Sequence, residues 1–228
     1  MDYVSRFWDV ITQYDVLGAF WLNITLTFWS GLLALVLGTI AVTMRISPIP
    51  SLRAASTVYV NVFRDIPLTV VMVAMASVVW MQLSVSFSQT MSWDFYILAI
   101  IGLGVYHSSF IAESIRSGVN TVPLGQSEAA RAIGLTFMQS ARIVILPQAF
   151  RGAVAPIGNT IIALIKNTTV ASVTGVAGET SGLMAELIEN SPQFILAIFL
   201  TFAIGYVVIV IPVGLLTTTL SRRLAVKR

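Results

Sequence analysis

Between Val16 and Met44 the chain carries no Asp, Glu, Lys or Arg. An apolar stretch of about 20 residues crosses the roughly 30 Å hydrocarbon core of a bilayer as a helix. This stretch exceeds that, so it reads as a membrane span. Composition extends the argument to the rest of the chain. Hydrophobic residues make up 57% and charged residues 10%, against about 25% charged in soluble domains. The expectation is an all-α, polytopic membrane protein. The absence of Cys excludes disulfides, thiolate chemistry and cysteine-based metal sites, and a single His makes no metal site by itself. The polar start, Met1–Gln13, shows no cleavable signal pattern.

Charges and prolines punctuate the remainder. Spans are expected at about 16–44, 54–83, 95–112, 152–173 and 195–220, in one domain covering residues 1–228. In the first, Gly31, Ala34 and Gly38 put small residues close to one face, which suits close helix packing. The second is interrupted by Arg64-Asp65-Ile66-Pro67, where the proline should kink or begin a helix. Arg64 and Asp65 are expected to pair with each other or to face a polar cleft, because a lone charge in hydrocarbon is costly.

Orientation follows from Lys and Arg. Arg45 and Arg53, the arginines of segment 121–151, and the tail Arg222, Arg223, Lys227 and Arg228 hold almost all the positive charge outside the membrane. The N-terminus, Ser84–Asp94 and Gly175–Asn190 hold Arg6 and otherwise only acids. Five spans with the N-terminus outside and the C-terminus in the cytoplasm follow. The net charge of +3 is spread over membrane-flanking loops and does not point to nucleic acid.

Segment 121–147 lies on the cytoplasmic side in this arrangement. It reads as two short helices around Gly134, a residue that tolerates the left-handed conformation at a helix C-terminus. The first opens with Pro123 in its first turn. The second opens on Thr136, with Gln139 at capping-box spacing, and stops before Pro147. Glu128-Ala129-Ala130, three residues, Gly134, nine residues, then Val144-Ile145-Leu146-Pro147 resembles the EAA loop of ABC-importer permeases, with Val144 where that family usually has Ile. The flanks 106–118 and 147–166 are similar to the polar amino-acid uptake branch. This resemblance implies the type I ABC-importer permease fold. Glu128, Ala129, Ala130, Gly134, Leu146 and Pro147 would then form the coupling element that docks on a separate ATPase subunit.

The fourth span carries the polar stripe. Asn159 and Lys166 are two helical turns apart and share a face, with Thr160 and Asn167 in a parallel row and Thr168 following. Lys166 in a membrane needs an anion or a carbonyl. A substrate carboxylate would serve, as would a carboxylate on a partner subunit, and the side chain also has the length to snorkel outward. Family members for basic amino acids often read N-E-F-I-x-L-x-K-D-T-S-L here. This chain has Thr160 and Asn167 in place of the two acids. Loss of negative charge in a low-dielectric site disfavours cationic substrates. Overall the chain is similar to permease subunits of actinobacterial glutamate importers, which implies glutamate, with glutamine or another polar amino acid second.

No phosphate-cradling G-x-x-x-x-G-K-[ST] occurs and no catalytic group stands out, so the chain is expected to be a permease and not an enzyme. The resemblance places ATP and Mg on a partner ATPase dimer. It adds a related permease or a second copy, an extracytoplasmic substrate-binding protein and an inner-membrane location. Glu179, Glu186 and Glu189 would contact that binding protein or form a solvated negative loop. The rival reading is an ATP-independent secondary carrier or channel using Arg64, Asp65, Glu113 and Lys166.

Overall fold

The uncharged run folds as one uninterrupted helix, α2 (Val16–Arg45), in a computed structural model that describes residues 2–224. Ahead of it, α1 (Tyr3–Ile11) starts on Asp2, whose carboxylate accepts from the Tyr3 N–H. The sequence reading left this short amphipathic helix unassigned. Lys227 and Arg228 lie outside the described residues.

The expected second span is two helices. The first, α3 (Pro50–Asp65), has proline in its first turn, where the missing N–H costs nothing. It closes with Ile66 N–H on the Val62 carbonyl. Ile66 itself is extended (ψ 135°), as a residue before proline prefers. The chain then re-enters helix as α4 (Leu68–Ala74), which winds on as a π-helix over Met75–Gln82. The helix after that, α5 (Met91–Val119), is longer at both ends than the apolar stretch 95–112. Its added N-terminal turn is held by Asp94, which accepts from the Phe87 and Ser88 amides at 2.8 Å each.

After the polar segment come α6 (Leu124–Ala132), α7 (Phe137–Ser140), a π turn over Ala141–Ile145 and α8 (Leu146–Asn167). The stretch expected as a span at 152–173 therefore begins earlier, and its α-helix ends at Asn167. Residues Thr168–Thr174 wind as a 3-10 helix. The hydroxyls of Thr168, Thr169, Ser172 and Thr174 each bond the carbonyl three residues back, and so compete for the acceptors that an α-turn would use. The expected loop Gly175–Asn190 holds α9 (Thr180–Asn190), and α10 (Ile195–Leu224) ends the described chain.

By length and hydropathy, α2, α5 and the helical stretch Pro192–Leu224 each qualify as spans. A fourth qualifies if α3 and the bent-off residues 68–82 count as one. The α8 stretch is not among them, because its stripe of polar side chains lowers its hydropathy.

The fold divides into two compact units; four of the five divisions fall inside helices and one at the break between α3 and α4. One comprises residues up to Ser30 with Leu68–Leu103 and Leu164–Pro212. Its core joins Ile11, Ala19, Leu183, Leu187, Phe194, Ile198 and Phe202. The other comprises Gly31–Pro67, Gly104–Ala163 and the residues from Val213 on. There Ala34, Val42, Ile111, Ile115 and Ala149 form the core. A Cβ on Gly38 would stand 2.9 Å from the Ser108 carbonyl, so glycine permits the close contact of α2 with α5.

Candidate transport and coupling sites

The hairpin of α6 and α7 is built by two terminal motifs. Ile133 caps α6 and Gly134 follows at φ +83°. Gly134 N–H then reaches the Arg131 carbonyl at 3.0 Å, and Leu135 N–H reaches that of Ala130 at 3.1 Å. That pair of bonds is a Schellman closure. Thr136 opens α7 with both halves of a capping box: its hydroxyl accepts from Gln139 N–H at 3.3 Å, and its own N–H donates to Gln139 Oε1 at 2.8 Å. Pro123 stands one place before α6 as its N-cap and not inside the first turn.

The second arm does not stop before Pro147. In a regular α-turn the Pro147 ring would press on the Ile143 carbonyl. The wider π turn over Ala141–Ile145, closed by Leu146 N–H on the Ala141 carbonyl, precedes it. Leu146 and Pro147 therefore open α8, and the hairpin's second arm runs without a break into the helix that carries the polar stripe. Gln148 ties the arms by donating to Gln126 Oε1 and to the Val144 carbonyl. Ala130 is buried, whereas Glu128 and Ala129 are exposed, as are Leu124 (81%) at the start of α6 and Ile133 (78%) at its end.

On α8, Asn159 and Lys166 are both exposed, as two-turn spacing requires of residues on one face. Thr160 is half-buried, its hydroxyl donating to the Pro156 carbonyl at 3.0 Å and lying 3.3 Å from Ser114 Oγ. Asn167 is half-buried. Thr168 leaves the stripe altogether: it is buried and accepts from Asn23 Nδ2 at 2.9 Å. The same Asn23 amide faces Thr180 Oγ1 at 2.9 Å and Tyr206 OH at 2.8 Å. Sequence reasoning missed this buried network. Its signal was present as an asparagine inside an uncharged run.

Arg64 and Asp65 do not pair with each other. Neighbours in a helix point about 100° apart. Arg64 instead lies 3.8 Å from Glu113, which also binds Arg45 and, at 2.8 Å, Arg116. Asp65 is exposed. Glu179 also departs from expectation. It is fully buried and caps α9 by accepting from the Ser181 and Gly182 amides, so it is not a solvated outer acid. Burial pushes its carboxyl above the ordinary range, and those two amides pull the other way. Glu186 and Glu189 are exposed on α9.

Three helical stretches are long and apolar enough to cross a membrane, and the short hairpin leads into the polar-striped α8. The family of binding-protein-dependent transport system inner membrane components matches residues 34–226, and the chain belongs to it. It is a permease of an ABC importer, an inner-membrane protein and not an enzyme. Among relatives, the glutamate transport system permease protein GluC of Corynebacterium glutamicum is 46% identical over 219 residues, covering 94% of this chain and 96% of that protein. The probable glutamine ABC transporter permease protein GlnM of Bacillus subtilis is 33% identical, covering 83% of each. In fold, the chain is similar to the crystal structure of an amino acid ABC transporter with histidines, with a TM-score of 0.76, 98% of this chain covered, 99% of that one, and 24% identity.

Proposed function

We propose that this permease carries glutamate in an ATP-driven importer. The observation that carries the substrate is the 46% identity to a glutamate permease along nearly the whole chain. The stripe on α8 agrees with it: Lys166 is exposed and no carboxylate stands at 160 or 167. In this reading Asn159, Thr160, Lys166 and Asn167 meet the substrate, and Thr168 holds the end of α8 through Asn23.

The topology that fits is five spans, formed by α2, α3 with α4, α5, α8 with its 3-10 extension, and α10. The N-terminus is outside and the arginine-bearing hairpin and C-terminus are in the cytoplasm. Such a chain needs a second permease, a copy or a relative, to enclose a path. Two ATPase subunits, which bind ATP and Mg, dock on the 121–147 hairpin, and an extracytoplasmic binding protein delivers the amino acid. Glu186 and Glu189 are the acids available to that protein. Closure of the ATPases pushes the hairpin. Because its second arm is continuous with α8, the push reaches the stripe as a lever motion, which is alternating access.

The test is uptake of labelled glutamate by the complex in vesicles. Unlabelled glutamate should compete best and ATP should be required. Stronger competition by arginine refutes the charge argument, and stronger competition by glutamine moves the substrate toward that of the Bacillus relative. Uptake that follows an ion gradient without ATP would mean a secondary carrier.

A further inference from the structure

The Glu113 cluster holds more positive charge than its own pairing uses. Oε1 is taken by Arg45 and Oε2 by Arg116 at 2.8 Å, so each carboxylate oxygen has a close partner. Arg64 is surplus. At 3.8 Å it lies beyond hydrogen-bond range of Glu113, its side chain is 44% exposed, and its guanidinium stands 5.9 Å above the Phe110 ring. Three guanidiniums around one carboxylate leave a net charge of +2. The neighbouring Asp65 is exposed and projects from a different side of α3.

The contacts of α3 set the depth of Arg64. Ser56 Oγ donates to the Ala41 carbonyl, one turn before Arg45, and Val60 packs on Ala41 and Ala112. Arg64 is four residues past Val60, so its backbone lies up to roughly 12 Å from the Arg45 end at 1.5 Å per residue. That is inside a core about 30 Å thick but short of its middle, and the guanidinium turns to Glu113, which Arg45 also reaches. Acyl chains offer an exposed guanidinium there no partner, so it needs a polar path, a bundle interior or an anion within reach. It also sits at the proline break of an interrupted membrane segment, the kind of place where carriers build their sites.

We infer that Arg64, backed by Arg116, is a second anion station that takes a carboxylate of the transported amino acid. This rests on the glutamate reading above. Glu113 keeps the station in place, and Arg45 and Arg116 keep Glu113 neutralised when Arg64 is replaced, so removing Arg64 strands no buried charge.

The experiment uses the assembled complex in phosphatidylcholine vesicles, with and without phosphatidylglycerol. Fluxes are counted per complex by the ATPase subunit that co-purifies. Arg64→Gln should lower the ratio of glutamate to glutamine flux at least tenfold, and Arg64→Lys should keep it within threefold, in both lipid mixtures. Parallel loss of both fluxes would make Arg64 a brace and overturn the inference. An effect confined to phosphatidylglycerol vesicles would assign the anion to a lipid phosphate and overturn it as well. A parent complex that takes up no glutamate fails the substrate reading instead, and shows it before any variant is made.

Discussion

Gly134 allows the backbone contribution to the hairpin to be measured alone. It sits at φ +83°, and a Cβ built on it meets nothing within 4 Å. Gly134→Ala therefore introduces no clash, and its whole effect is the cost of placing an L-residue in the left-handed region, about 1–2 kcal/mol. Asn visits that region far more readily, so Gly134→Asn should cost clearly less. The turn is reported by one amide, Leu135 N–H, which closes on the Ala130 carbonyl at 3.1 Å. A shift of 1–2 kcal/mol changes an opening equilibrium by roughly 5–30-fold. Hydrogen exchange at Leu135 in lipid nanodiscs should accelerate by that factor in Gly134→Ala and by less in Gly134→Asn. Transport should follow the same order if the hairpin is the coupling element. An Ala variant that exchanges like the parent, or an Asn variant as fast as Ala, would show that the turn is held by something other than backbone conformation.

The other predictions concern buried polar groups. Asn23→Ala removes the amide shared by Thr168, Thr180 and Tyr206. At about 0.6 kcal/mol per hydrogen bond in a membrane protein, the loss should be about 1–2 kcal/mol, read as a lower melting temperature in detergent; an unchanged melting temperature would refute the hub role. For Glu179 the sign follows from its raised carboxyl. Its ionised form is disfavoured in the fold, so the parent has its full stability below the ordinary value of 4.5 and loses some as pH rises above it. Glu179→Gln does not titrate. The stability difference should move in favour of the variant between pH 4.5 and 8, and movement in favour of the parent would contradict the burial argument.

The hairpin was legible because its chemistry is local. A capping box needs residues three apart, and a Schellman turn needs a glycine just past a helix. Both are read along the chain without knowing what packs on it. Where a local rule competed with its surroundings, the local rule lost. Pro147 signals a helix stop, yet the π turn before it lets the helix continue. Arg64 and Asp65 are adjacent and opposite in charge, yet helix geometry points them apart, and the carboxylate that Arg64 meets lies 49 positions away in the chain. The acids of Gly175–Asn190 read alike, yet Glu179 is buried as a cap while Glu186 and Glu189 are exposed.

The sequence by itself determined the solvent this chain lives in, the number and placement of its apolar stretches, the form of its hairpin and its family. All of these rest on composition, on spacing along one helix or on motifs of a few residues. Only the tertiary structure decided which polar groups serve one another. It set three arginines around Glu113 and gathered Asn23, Thr168, Thr180 and Tyr206 into one buried network. It also joined the hairpin to the striped helix. Partners of that kind are chosen by the packing of helices distant in sequence, where every charge must find whatever counter-group the bundle brings within reach.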